Sequence, residues 1–99
     1  MVRKRKLIWL ISAQNDRKEI FKYWNDRNKS KEYSKKLNLL FKEKTEILKD
    51  FPFIGQITNV EEVRILTVKN YLIVYELSEH LIKIFRVWES HQNPENLEF

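Results

Sequence analysis

Four residues in the C-terminal half of the sequence are of types that could act on a phosphodiester, namely Arg64, Arg86, Glu89 and His91. The planar guanidinium of arginine is the best phosphate-binding side chain because it donates two parallel hydrogen bonds. An imidazole titrates near neutral pH, so His91 could donate or accept a proton, and the Glu89 carboxyl group could do the same. Residue types alone favour a more ordinary role for Arg64, an ion pair with a neighbouring carboxylate (Glu61, Glu62 or Glu76). They leave Glu89 and His91 equally suited to proton transfer and to solvated loop positions.

Three short runs predict the strands that would position these residues. Val63 to Val68, Tyr71 to Leu77 and Leu81 to Trp88 have strand length and are rich in β-branched and aromatic side chains. Only Lys69 and Asn70 separate the first two runs, and asparagine tolerates the positive φ of a two-residue hairpin turn. The runs therefore predict an antiparallel meander, with Arg64 and Arg86 on the two strands that flank the central one.

Two helices are predicted upstream of the meander. The apolar run from Lys6 to Ile11 favours a first strand, and Ser12 is expected to cap a helix over residues 13–27. Ser30 is expected to cap a second helix, whose apolar stripe continues to Asp50. The Phe51-Pro52 step ends that helix, because the residue before proline disfavours helical backbone. In the loop that follows, Gly55 is the only glycine of the chain and is expected to hold a conformation that other residues avoid.

The order β-α-α-β-β-β predicts an α+β fold in one domain over residues 1–99. The expected architecture is an antiparallel sheet covered on one face by an α-helical hairpin. Because the hairpin separates the first strand from the meander, the chain must cross one face of the sheet and leave the other face open. With 42% hydrophobic residues, a chain of 99 residues can build one core.

Composition limits the classes of protein to consider. The chain has no cysteine, which excludes disulfides and thiolate metal sites and fits a cytoplasmic location. We expect no metal, no cofactor and no membrane span, because no ligand cluster, phosphate-binding glycine loop or long apolar run is present. A net charge of +5 favours an acidic partner, such as nucleic acid. The densest basic cluster lies at the N-terminus and fits either RNA or ribosome contact or simple solubilisation (Arg3, Lys4, Arg5 and Lys6).

A series of short motifs runs through the chain in a specific order. They are Tyr23-Trp24, Arg27-Asn28-Lys29-Ser30, Pro52-Phe53-Ile54-Gly55, Val63-Arg64, Tyr71 to Glu76, and Arg86-Val87-Trp88 followed by Gln92-Asn93-Pro94. Together they resemble the RelE/ParE superfamily of bacterial toxins, over about Ile8 to Leu97. The resemblance implies a small β-α-α-β-β-β toxin encoded beside a cognate antitoxin that binds and neutralises it.

The resemblance also implies two targets. Members that resemble RelE cut messenger RNA on the ribosome, whereas members that resemble ParE poison DNA gyrase. Arg64 matches the arginine that would clamp phosphate in the nuclease, and Arg86 matches a further arginine. Glu89 occupies an acidic position of a related motif, in which His91 replaces an arginine.

The sequence gives arguments for each target. Basic charge and the two arginines favour a ribosome-dependent endoribonuclease, while the missing standard acid and base favour a gyrase inhibitor. We take the endoribonuclease as the first interpretation. The alternatives are the gyrase inhibitor and an inactive protein that only binds its antitoxin. In each case we expect the antitoxin to cover the open sheet face or a groove beside the helical hairpin.

Overall fold

The structure is a computed structural model, and it describes residues 4–90. Its elements are β1 (Lys6–Trp9), α1 (Ile11–Asn28), α2 (Glu32–Glu46) with a 3₁₀ turn (Ile47–Lys49), β2 (Gln56–Ile57), β3 (Val63–Val68), β4 (Tyr71–Leu77) and β5 (Leu81–Glu89). The five strands form one sheet in the order β1-β5-β4-β3-β2. The α+β fold class is confirmed.

The sheet differs from the expectation at its two edges. β1 joins β5 in parallel, with Lys6 opposite Leu81 and Trp9 opposite Ile84, while the other three pairings are antiparallel. Parallel pairing is possible because the long crossover through both helices lets the chain re-enter the sheet in the same direction. β2 was not predicted, since two residues are too few to show an alternating pattern.

The turns and helix ends correct four residue-level predictions. α1 begins at Ile11 and is preceded by Leu10, so Ser12 is not its cap; the Ser12 hydroxyl donates to the Phe85 carbonyl at 2.6 Å instead. The positive φ of the β3–β4 hairpin lies at Lys69, with φ 53°, and not at Asn70. Gly55 does not have a positive φ, so its conformation is open to other residues. Lys31 is the residue that precedes α2, so Ser30 is not its cap either, although the Ser30 hydroxyl accepts a hydrogen bond from the Glu32 N–H at 3.2 Å.

The core lies between the helices and one face of the sheet. Ala13, Leu37, Phe41 and Leu48 contribute from the helical side. The sheet contributes fully or almost fully buried residues from its three central strands (Val68, Tyr71, Ile73, Tyr75, Leu77, Ile82, Ile84 and Val87). The Phe21 and Phe41 rings stack at 6.2 Å, and Phe41 meets Tyr71 edge to face at 5.5 Å. Within residues 4–90, no helix has the length and apolar character needed to cross a membrane.

Candidate functional site

Arg64 lies near the start of β3 and fixes a loop outside the sheet. Its Nη1 donates to the carbonyl oxygens of Phe53 and Gly55, each at 2.9 Å, and its guanidinium lies 5.2 Å from the centre of the Phe53 ring. The expected ion pair of Arg64 is not formed among residues 4–90, where Glu76 pairs with Lys83 at 3.8 Å. Because backbone carbonyls carry no net charge, the positive charge of Arg64 is not compensated by a salt bridge in this part of the chain.

Tyr75 fixes the same loop from the sheet. We call residues 50–57 the Phe53 loop. The Tyr75 hydroxyl donates to the Pro52 carbonyl at 2.8 Å and accepts from the Gly55 N–H at 2.9 Å. A side chain on Gly55 would place its Cβ 2.7 Å from Cε1 and 2.9 Å from Cζ of Tyr75, so close approach explains the glycine. Burial raises the pKa of Tyr75, against the opposing effects of the Gly55 hydrogen bond and the Arg64 charge.

The Phe53 loop presents large apolar side chains to solvent. Phe51, Phe53, Ile54 and Ile57 are 62%, 60%, 58% and 70% exposed. The first three line a shallow cavity of about 380 Å³.

Part of the basic N-terminal cluster reaches this loop. The Arg5 guanidinium lies 5.6 Å from the centre of the Phe53 ring, and Lys4 pairs with Asp50 at 2.6 Å. Lys6 is exposed on β1, and Arg3 lies outside the described residues.

Arg86 lies on β5 and fixes α1. Its Nε and Nη2 donate to the two carboxylate oxygens of Asp16 at 2.8 and 3.2 Å, and the Val87 N–H donates to the same carboxylate at 2.9 Å. One helical turn earlier, Ser12 holds the Phe85 carbonyl. β1 pairs with β5 only as far as Ile84. Beyond that residue, side chains of α1 form the hydrogen bonds to the β5 backbone. The positive charge of Arg86 is therefore compensated by a carboxylate.

A groove of about 580 Å³ lies between α1 and this end of β5. Arg27, Arg86 and Glu89 line it, so the structure brings two of the four predicted site residues to one cleft. Tyr71 forms part of the wall, and its hydroxyl accepts a hydrogen bond from the Trp24 Nε1 at 2.7 Å. Burial raises the pKa of Tyr71, although the Trp24 hydrogen bond acts in the opposite direction.

The structure does not bring Arg64 and Arg86 together. Arg64 is opposite Tyr75 in the sheet and Arg86 is opposite Val74, while a bulge leaves Phe85 without a partner on β4. The Arg64 guanidinium is bonded to the Phe53 loop, whereas the Arg86 guanidinium is bonded to α1 and lines a groove that does not include Arg64. His91 lies outside the described residues. Among residues 4–90, no cluster of His, Asp and Glu side chains could hold a metal ion.

Comparison with known families identifies the chain. The family model described as the ParE toxin of type II toxin-antitoxin systems, parDE, matches residues 7–94. The chain belongs to the ParE toxin family. A solved structure titled "Chromosomal ParDE TA system from P. aeruginosa" is 20% identical with a TM-score of 0.76, over 87% of this chain and 96% of that chain, and shows the same fold. No curated protein sequence matches the chain.

Family membership confirms the resemblance seen in the sequence. This ParE-family protein is the toxin of a type II toxin-antitoxin module, and an antitoxin is its partner. The sequence signals missed two features of the site, the Asp16 carboxylate and the Tyr75 hydroxyl. Asp16 and Arg86 are 70 residues apart, so no local pattern could have paired them.

Proposed function

We propose that this ParE-family toxin inhibits DNA gyrase by binding it, without cutting RNA. The proposal gives preference to the target that the sequence placed second. The toxin would act in the cytoplasm, where both gyrase and ribosomes are found.

The placement of the two arginines is the observation that supports this proposal most strongly. Metal-independent RNA cleavage needs a base, an acid and a cationic clamp around one phosphate. Arg64 is bonded to the Phe53 loop and Arg86 is bonded to Asp16 on α1, so each guanidinium is already held by a different segment of the protein. Two groups so placed do not converge on one phosphate without rearrangement. A protein target needs no such convergence, because affinity comes from a preformed surface.

One observation favours the endoribonuclease as a second candidate. Arg86 and Glu89 line the same groove, with Arg27 as a further cation, and the charge of Arg64 is not compensated by a salt bridge within residues 4–90. Glu89 would then move a proton, with His91 as the other candidate, and Arg64 would bind phosphate. Under this candidate, Lys4, Arg5 and Lys6 would contact RNA together with Arg3.

Both candidates can be tested with one preparation of toxin. Toxin made by cell-free synthesis would be added to purified gyrase with relaxed plasmid, and in parallel to a translation reaction whose messenger 5′ ends are mapped. We expect loss of supercoiling or gyrase-dependent plasmid cleavage, and a messenger without new ends. Adding the antitoxin should restore supercoiling.

Substitutions distinguish the two mechanisms. Arg64→Lys keeps a charge, Glu89→Gln removes a proton-transfer group, and Lys35→Ala on the exposed side of α2 is a matched control. New messenger ends that disappear in Glu89→Gln and persist in Lys35→Ala would overturn the proposal and establish the nuclease. Gyrase inhibition that is unchanged in Glu89→Gln would support the proposal, because binding does not depend on a proton donor.

A further inference from the structure

We propose that the Phe53 loop is the docking site for an acidic, apolar segment of the antitoxin. The inference rests on membership of the toxin family and on the geometry of the loop, and it is independent of the choice between gyrase and messenger RNA. It places the antitoxin on a surface that the sequence did not suggest, since the open sheet face and the groove were expected.

Exposure distinguishes the loop from the open sheet face. The apolar residues Ile8, Leu10 and Val60 on the open side of the sheet are 36–37% exposed. The four large apolar side chains of the Phe53 loop are 58–70% exposed, although they lie within seven consecutive positions. Large exposed apolar patches on a small protein mark interaction sites, because water contact is unfavourable. Covering the Phe53 loop with a partner is therefore more favourable than covering the open sheet face, because the apolar side chains of the loop are more exposed to water.

The loop is also held in place before any partner arrives. Tyr75 holds Pro52 and Gly55, and Arg64 holds Phe53 and Gly55, through four hydrogen bonds of 2.8 to 2.9 Å. The Ile54 N–H donates to the Phe51 carbonyl at 3.2 Å, which closes the turn between the exposed side chains. A surface that is ordered in advance loses little conformational entropy on binding. Exposure here results from a fixed geometry and not from a loose loop.

The charges around Phe53 define the chemistry of the partner. The Arg5 and Arg64 guanidinium groups lie 5.6 and 5.2 Å from the centre of the ring. The acidic residue of the loop, Asp50, is paired with Lys4. The site thus combines an aromatic anchor with two cations, and it fits a segment that has carboxylates beside an apolar side chain.

A protein segment fits this surface better than RNA does. Single-stranded RNA stacks on aromatic rings, but Ile54 and Ile57 offer bases no stacking surface. Aliphatic side chains next to aromatic ones are the normal content of a protein interface core. Exposed apolar side chains in a fixed arrangement mark a surface that binds a protein partner. For the toxin of a toxin-antitoxin module, the antitoxin is such a partner.

Side-chain footprinting tests the proposal without altering the protein. Hydroxyl radicals would oxidise the toxin alone and in its complex with the purified antitoxin. We expect oxidation of Phe51, Phe53 and Ile54 to fall several-fold in the complex. Leu39 on α2 is the matched control, since it is 57% exposed and lies away from the loop. Tyr23, at 54% exposed, reports on the groove beside α1. Protection of Tyr23 with an unchanged Phe53 would overturn the proposal.

Substitutions test the aromatic anchor and the charge separately. Phe53→Ala should weaken antitoxin binding by about tenfold to a hundredfold, as removal of an interface anchor does. Leu39→Ala, equally exposed but distant, should not change it. Arg5→Glu should weaken binding more at low salt than at high salt, whereas Lys35→Glu should have a smaller effect. Thermal melting of each variant would establish that it is folded.

Three results would contradict the proposal. Phe53→Ala and Arg5→Glu could each bind the antitoxin as well as the unchanged toxin does. Alternatively, the loop could remain unprotected in the complex, or a labelled uridine oligonucleotide could bind the free toxin and lose affinity in Phe53→Ala. None of these bears on gyrase inhibition, which is measured in the absence of antitoxin. Failure of the docking site and failure of the proposed target are therefore separate outcomes.

Discussion

Arg64 and Arg86 occupy comparable positions on the two strands that flank β4, and each fixes a segment outside the sheet. Arg64 holds the Phe53 loop through two backbone carbonyls, whereas Arg86 holds α1 through the Asp16 carboxylate. Carbonyl oxygens accept the hydrogen bonds of a guanidinium group but do not neutralise its charge. A carboxylate does both. The same residue type therefore produces a cationic surface on the β3 side of β4, which we call the Arg64 end, and a neutral joint on the β5 side, which we call the Arg86 end.

This difference indicates that one arginine serves binding and the other stabilises the fold. At the Arg64 end, the cation lies beside exposed aromatic and aliphatic side chains, so that end can attract and anchor an anionic partner. At the Arg86 end, Asp16 also accepts the Val87 N–H and so closes the edge of β5 beyond the last residue that pairs with β1. Covered edges do not recruit other strands. The Arg86 end therefore maintains the fold, and the Arg64 end is the better candidate for binding.

The largest effect is expected from Gly55→Ala. The added Cβ would meet the ring of Tyr75, which is fully buried. We expect a loss of about 3 kcal/mol in the free energy of unfolding, since overpacking would add to the loss of the Gly55 hydrogen bond. Urea unfolding monitored by tryptophan fluorescence would measure it.

A double-mutant cycle checks the cause of this loss. The atom of Tyr75 nearest to the added Cβ is its hydroxyl oxygen, which Tyr75→Phe removes. The cost of Gly55→Ala should therefore be smaller in the Tyr75→Phe background than in the unchanged protein. Equal costs in both backgrounds would show that the clash does not depend on the Tyr75 hydroxyl oxygen.

Asp16→Ala should have the second largest effect, about 2 kcal/mol of unfolding free energy. It leaves the Arg86 guanidinium and the Val87 N–H without their acceptor. The loss stays below that of a fully buried pair, because the Arg86 side chain is 41% exposed and water screens it. Asp16→Asn keeps an acceptor for the N–H and should lose less. An Asn variant as unstable as the Ala variant would show that the charge alone matters.

A smaller effect should separate the two arginines in antitoxin binding. Arg64→Gln removes a charge that no salt bridge within residues 4–90 compensates, so we expect association at low salt to slow by about threefold and the difference to vanish at high salt. Arg86→Gln removes a charge that Asp16 already balances, so its main effect should be on stability. Stopped-flow association across a salt series would compare them. A larger salt-dependent change for Arg86→Gln would reverse the assignment of the two ends.

The strands and helices were predictable because each follows a local pattern. β-branched and aromatic runs marked β3, β4 and β5 to within a residue, and the apolar stripe marked α2. β2 was missed because Gln56 and Ile57 are ordered by their pairing with Ile65 and Arg64 and not by their own propensity. Local sequence patterns therefore predict the helices and the central strands. The edge strand β2 depends on pairing between distant segments, which local patterns do not show.

The site was less predictable, because its contacts join distant parts of the chain. Gly55 was correctly singled out, but the reason is the Tyr75 ring 20 residues away and not a positive φ. Residue types alone favoured an ion pair for Arg64, and its acceptors are carbonyls 9 and 11 residues earlier. Sequence patterns selected residues that make specific tertiary contacts, whereas the functional roles of these residues stay predictions.

The smallest predicted effect is a pH dependence at the Arg64 end. Burial raises the pKa of Tyr75 in the folded protein above the value of about 10 for an unfolded tyrosine. The folded state therefore binds this proton more tightly, so the stabilisation is fully present below pH 10 and is lost as the pH rises through the folded pKa. Tyr75→Phe should be less stable than the unchanged protein at pH 8, and this difference should narrow above pH 10.

The control for this last prediction is a core variant without a titratable group. Ile73→Val, also fully buried on β4, should lose about 1 kcal/mol at every pH. Unfolding by urea at pH 8 and pH 10.5 would compare both variants with the unchanged protein, so the general alkaline destabilisation cancels in each difference. A Tyr75→Phe difference that stays constant, as that of Ile73→Val should, would mean that folding does not raise the pKa of Tyr75. Once the pH exceeds the pKa of Tyr75 in the folded protein, the ionised phenolate can no longer donate to the Pro52 carbonyl, and this links alkaline pH to release of the Phe53 loop.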